Sequence, residues 1–337
     1  MDISHFDFNL PKELIASRPI KPRNTSRLLI GSNPIIHDNF NNILNYVEKN
    51  DLLVVNNSKV IPAYFSIKHN SNEIRFTFHK KIEDSLWKAF IKPGKKINIG
   101  DKIILDDECF LEIIEKTFEG DFLIKINGKE DLVFKNFGRM PLPPYILKSR
   151  NSDKNDFNDY QTVYASQDGS IAAPTAGLHF NDEIFNKLKD CDQLAEITLH
   201  VGAGTFMPIR DSIENHKMHY ETGFISNEVI ELIKEKKSKK GRIISVGTTS
   251  LRLLESAALD GNISTFSGET DIFIKPGFKF KVVDMLLTNF HLPKSTLMLL
   301  VSAFSGIDEI QSIYLEAIKN NYRFFSYGDV SLLYRNE

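Results

Sequence analysis

Ile243-Ile244-Ser245-Val246-Gly247-Thr248-Thr249-Ser250-Leu251-Arg252 is an apolar run that stops at a glycine and restarts as a helix. Residues 242–246 read as a buried strand and 249–259 as the helix after it. Strand, short turn and helix form the repeating step of an α/β sheet. The turn also has chemical meaning, because amides and hydroxyls at a helix start suit a carboxylate or a phosphate. That makes Thr248, Thr249 and Ser250 candidate substrate ligands. The plainer reading is a helix cap, worth about 1 kcal/mol and needing no ligand. No Gly-Lys-Ser/Thr follows Gly247, so this turn is not a P-loop.

Working outward, the same step recurs. A helix over 181–189 leads to a strand over 194–201, which runs into Gly202 and Gly204. A helix over 227–240 ends at Gly241 after Lys236, Lys237, Lys239 and Lys240. Those lysines complement the helix C-terminus or form an RNA patch. Residues 270–274 and 280–287 read as segments flanking a Pro276-Gly277 turn. Ile310, Ile313, Tyr314, Ala317 and Ile318 repeat at helical spacing. Upstream, 50–55 reads as a buried strand, and Pro11 as the first residue of a helix reaching residue 17.

Between residues 60 and 152 the period changes to two. Ile74, Phe76 and Phe78 alternate with polar residues, as do Trp87, Ala89 and Ile91, then Phe122, Ile124 and Ile126. Turn signals separate the runs: Pro93-Gly94, Glu119-Gly120-Asp121 and Asn127-Gly128, the last read as a hairpin. The expected fold is therefore an α/β main domain with an open, Rossmann-like mixed sheet, built from 1–59 and 153–337. A small antiparallel β-barrel domain, 60–152, is inserted into it. The polar stretch 151–159 reads as a linker or exposed loop.

Composition narrows the function. The 337 residues are 42% hydrophobic and 26% charged, with a net charge of -2. No global basic field exists, so nucleic acid has to be held by local patches. Cys109 and Cys191 lie far apart and outside any Cys-x-x-Cys, which fits a reducing cytoplasm. The start has no signal-peptide pattern, and no apolar run is long enough to span a bilayer. A soluble cytoplasmic protein without membrane contact is expected.

The polar groups of the α/β part cluster after apolar runs, which is where open α/β sheets bind ligands. The densest case is 169–180, whose small residues let a ligand approach the backbone. Pro174 fixes φ, Thr175 follows, Gly177 permits a left-handed turn, and His179 is carried at its end. A hydrogen-bonded core histidine is the plainer reading of His179. His200 ends a strand before Gly202, and His291 follows Asn289 before Pro293. Asp329 sits near the C-terminus. His216-x-x-His219 puts two imidazoles on one face only if that segment is helical, and a zinc site wants more ligands at a better spacing. No metal is expected.

The segments SIAAPTAGLHF (170–180), LHVGAGTF (199–206), HKMHYE (216–221), SVGTTSLRLLES (245–256), ETDIFIKPGF (269–278), LLTNFHLPKSTL (286–297) and YRFFSYGD (322–329) occur in this order. With FDFNLPKELIASRPIKPRNTSRLL (6–29), GRMPLPPYI (138–146) and YQTVYA (160–165), the chain resembles the S-adenosylmethionine:tRNA ribosyltransferase-isomerase family of queuosine biosynthesis. The resemblance spans nearly the whole chain. Asn24 and Asn57 stand where the family more often has Asp, and Lys59 and Tyr64 where Arg is usual.

The resemblance implies a reaction without metal or prosthetic group. The ribosyl part of the cosubstrate, S-adenosylmethionine, moves to 7-aminomethyl-7-deazaguanine in tRNA, isomerises to give epoxyqueuosine, and leaves adenine and methionine behind. Such chemistry needs a base for the C5′ hydrogen, which the sulfonium acidifies, and an acid for departing adenine. His179, His200, His291, Glu269 and Asp271 are the catalytic candidates, His179 first as base. Pro174, Thr175, Gly177, Gly202, Gly204, Thr205, His219, Thr248, Thr249, Ser250, Asn289 and Asp329 are the substrate-binding candidates. Arg18, Lys21, Arg23 and Arg27, with Lys95, Lys96 and Arg139, are the candidates for tRNA phosphates. The chain is expected to act as a monomer. An S-adenosylmethionine-dependent RNA methyltransferase and a non-catalytic RNA-binding protein are the alternatives. The first should show a Gly-rich loop after its first strand and an acid ending the second, a pair that is not found.

Overall fold

The computed structural model describes residues 1–118, 120–202, 213, 214, 216 and 218–336. The chain divides into two compact units, one of residues 1–59, 161–167 and 173–337, the other of 60–160 and 168–172.

The larger unit is built on a nine-stranded sheet. Its order is Phe266–Thr270, Glu221–Ile225, Leu194–Leu199, Leu52–Asn56, Ile243–Val246, Met285–Asn289, Val330–Tyr334, Arg27–Ile30 and Ile36–Asn39. The four strands from Leu194–Leu199 to Met285–Asn289 are mutually parallel. Beyond Met285–Asn289 the next strand is antiparallel, and both sheet ends are closed by antiparallel pairs. Strands buried on both faces read as unbroken apolar runs. Leu52–Asn56, Ile243–Val246 and Met285–Asn289 are accordingly buried at every position. One face is covered by Phe40, Ile43, Phe180, Ile184 and Leu188, which pack on Leu53, Val55, Ile244, Val246 and Leu287. Helices Asn227–Ser238 and Thr248–Ser256 pack against the parallel strands.

Taken in chain order, the four parallel strands lie side by side as second, first, third and fourth. The order reverses between Leu52–Asn56 and Ile243–Val246. Asn56 and the turn at Gly247 therefore stand at a topological switch point, where open α/β sheets leave a crevice.

The smaller unit carries a six-stranded antiparallel, barrel-like sheet. Ile74, Phe76 and Phe78, Trp87, Ala89 and Ile91, and Phe122, Ile124 and Ile126 all face inward, as their alternation requires.

Some expectations fail for local reasons. Asn127-Gly128 ends the strand Phe122–Asn127 and leads into helix Glu130–Phe137, not a hairpin. Gly128 has φ 131, and a Cβ there would lie 2.7 Å from Cys109 Sγ, so the glycine answers to packing. Residues 12–14 form one 3-10 turn in place of the helix over 11–17. No strand covers 271–274, and the edge strand is Phe266–Thr270. Residues 216 and 218–220 are not helical, so the condition for His216 and His219 to share a helical face is not met. The stretch 151–159 contains a short helix, Asp156–Asp159, whose Asp156 is bound by Arg150 at 2.5 Å.

Gly177 is needed for space. A Cβ there would overlap the hydroxyl of the buried Tyr164 and lie 2.9 Å from Thr162 Cγ2. Gly177→Ala should lower the unfolding free energy by about 1–3 kcal/mol, the usual cost of overpacking. Urea denaturation measures it, and an unchanged midpoint would contradict the packing described.

Candidate active site

The small-residue loop folds into a 3-10 helix, Thr175–His179, with Ala176, Gly177, Leu178 and His179 buried. It delivers the His179 ring between two chain segments. Ser26 Oγ lies 2.7 Å from Nδ1, and Asn289 Nδ2 lies 3.1 Å from Nε2. Burial holds the imidazole far below its ordinary value, to about 3, with the nearby charges of Arg323 and Arg23 acting in the same direction. His179 is thus neutral at physiological pH.

Asn289 ends a central strand. Its Nδ2 also reaches the Asp329 carbonyl at 3.4 Å, while its Oδ1 is buried without a partner among the described residues. The Asp329 carboxylate accepts from the backbone N–H of Arg27 at 2.9 Å and of Arg323 at 2.8 Å. Burial raises the Asp329 pKa even so. This acid is spent on holding the C-terminal turn. Beside His179 lies a small recess of about 10 Å³, room for roughly one water, lined by Pro19, Ile20, Arg23, Leu178, Ser326, Tyr327 and Gly328. Gly328 is forced, since a Cβ there would sit 2.6 Å from the Phe324 carbonyl carbon.

The switch-point turn adjoins the same loop. A Cβ built on Gly247, at φ 88, would lie 3.6 Å from that of Ala176. Gly247 caps the helix without a side-chain hydrogen bond. Ser250 Oγ instead donates to the Val246 carbonyl at 2.9 Å. Thr249 Oγ1 receives a 3.4 Å contact from Asn56 Nδ2, which also bonds the Leu199 carbonyl at 2.9 Å. Simple capping by these hydroxyls is therefore not what the turn does.

A second grouping forms at the end of Leu194–Leu199. The Gly202 N–H donates to Glu221 Oε1 at 3.1 Å, and the other Glu221 oxygen pairs with Arg252 in a buried ion pair. Arg252 also donates to the Ile272 carbonyl at 3.3 Å and keeps Nη2 buried without an acceptor among the described residues.

The structure brings His179, Asn289 and Asp329 together. Of the candidates, His179 and Arg23 line the recess. His291 is buried with Nε2 2.9 Å from Thr288 Oγ1, and burial lowers it to about 3. His200 is half-buried at its strand end, while Glu269, Asp271 and His219 are exposed. Pro174 is buried and Thr175 half-buried in the loop. Gly204 and Thr205 lie outside the described residues. Among the basic candidates, Arg23 Nη1 donates to the Gln161 carbonyl at 2.5 Å. Arg27 bonds the Asn320 carbonyl at 2.6 Å and lies over the Tyr322 ring at 3.7 Å. Arg18 and Lys21 are half-buried and exposed respectively, and Lys95, Lys96 and Arg139 are exposed in the smaller unit. Asn57 donates to Glu196 at 3.1 Å and accepts from Thr198 at 2.7 Å, a pairing that an acid at 57 would turn into repulsion.

Sequence reading missed Ser26, Arg323 and the turn 326–328. Ser26 carries no pattern of its own, and YRFFSYGD was the only available signal for the others.

A family model described as "Queuosine biosynthesis protein" matches residues 3–333. The chain belongs to the queuosine biosynthesis protein family. Within that family, a relative from Rickettsia bellii named S-adenosylmethionine:tRNA ribosyltransferase-isomerase is 48% identical, with 99% of each chain covered. One of the same name from Mesorhizobium japonicum is 46% identical over 100% of this chain and 99% of its own. The crystal structure of S-adenosylmethionine tRNA ribosyltransferase from Thermotoga maritima is similar with a TM-score of 0.55 and 34% identity. That match covers 97% of this chain and 99% of the other. Among the described residues no three His, Cys, Asp or Glu are grouped as metal ligands, and no single helix is long and apolar enough to cross a membrane.

His179 and His291 make stability depend on pH. Their folded pKa values are depressed from the ordinary 6.5, so the unfolded chain binds their protons first. Their contribution is complete above about pH 7 and is lost as pH falls toward 3. Between pH 7 and pH 5 the unfolding free energy should drop by about 2 kcal/mol for each histidine. Denaturation curves at the two pH values check this, and a flat profile would contradict it.

Proposed function

We propose that the adenosyl part of S-adenosylmethionine binds against the surface around His179 and that the turn at Thr248 holds its methionyl carboxylate. The chain is a ribosyltransferase-isomerase of queuosine tRNA modification, as its family and its relatives' names have it. In the finer reading, the ribosyl group passes to 7-aminomethyl-7-deazaguanine in tRNA, forms epoxyqueuosine, and releases adenine and methionine. The observation that carries the site is the His179 ring held by Ser26 and Asn289 at the wall of a small recess.

Burial, with the charges of Arg323 and Arg23, holds His179 neutral, which leaves a ring nitrogen free of a proton but weakens it as a base. His200, His291, Glu269 and Asp271 remain candidates for later proton transfers and for facing the sulfonium. Pro174, Thr175, Gly202, Gly204, Thr205 and His219 remain candidates for substrate contact. At the helix start, Thr248 and Thr249 are the better carboxylate ligands, since Ser250 serves Val246. The strand-order reversal beside this turn supports a Rossmann-like position for the ligand.

The catalytic domain is proposed to comprise 1–59 and 153–337, of which 153–160 and 168–172 belong to the smaller compact unit. The insertion, 60–152, is proposed to share tRNA binding through Lys95, Lys96 and Arg139, alongside Arg18, Lys21, Arg23 and Arg27. A cytoplasmic monomer working without prosthetic group or metal completes the reading.

His179→Gln should slow single-turnover adenine release by about 10²–10⁴-fold, the span of a lost general base. Thr248→Val with Thr249→Val should instead raise KM for S-adenosylmethionine far more than KM for tRNA. Wild-type adenine release in the first variant would remove His179 as the base, and equal KM changes in the second would remove the carboxylate site. For tRNA, replacing Lys95, Lys96 and Arg139 by Gln should flatten the salt dependence of binding by about one unit of slope per lost contact. An unchanged slope would take them out of the interface.

A further inference from the structure

We infer that Asn289 is a positioning residue that decides which nitrogen of His179 is basic, and that Ser26 takes the proton of the other nitrogen. The inference rests on the reading of His179 as proton acceptor and goes further by fixing its tautomer.

The tautomer follows from who can donate. A backbone carbonyl only accepts, so the Asn289 atom facing the Asp329 carbonyl at 3.4 Å is the amide nitrogen. That same Nδ2 lies 3.1 Å from His179 Nε2. Nε2 therefore offers a lone pair, and the ring proton sits on Nδ1, donating to Ser26 Oγ at 2.7 Å. In the opposite tautomer, two N–H groups would face each other in a buried site. Ser26 is wholly buried, and its own backbone is tied down. Its N–H donates to the Arg23 carbonyl at 3.4 Å, and its carbonyl accepts from the Phe40 N–H at 2.8 Å. The hydroxyl is thus held beside Nδ1, where it accepts the ring proton that the Asn289 contact leaves there.

The consequence is directional. A proton taken from C5′ must arrive on Nε2. The C–H bond breaks, the N–H bond forms, and the electron pair stays on the carbon beside the sulfonium. Asn289 has to move its amide off Nε2 before that nitrogen can take the proton. The imidazolium then presents a donor where the neutral ring presented an acceptor. Ser26 accepts from Nδ1 in both states.

The test uses the full-length protein labelled with ¹⁵N-histidine. Imidazole nitrogen shifts are read at pH 7, and His179 is assigned by the signals missing from His179→Gln. The expected pattern is a protonated Nδ1 and a bare Nε2. Ser26→Ala should mix the tautomers and slow single-turnover exchange of the C5′ hydrogens with solvent deuterium about tenfold or more, with KM for S-adenosylmethionine nearly unchanged. Ser26→Cys, a weaker acceptor, should fall between Ala and wild type. A wild-type ring protonated at Nε2 overturns the inference, whether or not the Ser26 variants fold. Wild-type exchange in a folded Ser26→Ala overturns it as well. Wild-type exchange in His179→Gln would instead end the reading of His179 as base while the tautomer assignment stood.

Discussion

A buried imidazole must have both ring nitrogens satisfied, and His179 meets that demand with one partner from each side of the larger unit. Ser26 comes from the segment that leads into the strand Arg27–Ile30, and Asn289 from the end of a central strand. Behind Asn289, Asp329 gathers the backbone amides of Arg27 and Arg323 on its carboxylate. One chain of hydrogen bonds therefore fixes both walls of the recess, residues 19–23 on one side and 326–328 on the other. Losing a member would leave a buried polar group unpaired, which costs more than the bond itself contributes.

The same logic explains why chemistry sits here and not at the other histidines. His291 is as buried as His179, but its Nε2 is turned to Thr288. His200 stands at a strand end near the Gly202–Glu221–Arg252 grouping, apart from the recess lining. The two groupings meet through the switch point, where Asn56 bonds both Leu199 and Thr249 and Gly247 packs beside Ala176. A cosubstrate with a nucleoside at one end and an amino acid at the other suits a site built from two such parts.

Much of this was legible in the residues. Unbroken apolar runs at 52–55 and 243–246 mark strands buried on both faces, and the glycine after Val246 marks the turn. The period-2 runs around Phe76, Ala89 and Ile124 mark the inserted sheet. What failed had physical causes. Asn127-Gly128 has hairpin chemistry, but Gly128 is there because Cys109 leaves no room for a Cβ. Helix Thr296–Ser305 is apolar nearly all round, so it shows no amphipathic stripe. Ser26 is a lone hydroxyl whose partner is 153 residues away. Arg27 stands in a basic cluster, and nothing in that cluster shows that its guanidinium lies over Tyr322. Long-range partnership of this kind leaves no local pattern.

The most direct test of the central claim is a crystal structure of the enzyme with S-adenosylhomocysteine, which lacks the reactive sulfonium. The account predicts the ribose C5′ facing His179, the adenine against the surface bordered by residues 19–23 and 326–328, and the carboxylate on the hydroxyls of Thr248 and Thr249. A nucleoside seated instead against His200 or His291, with the surface around His179 empty, would contradict it.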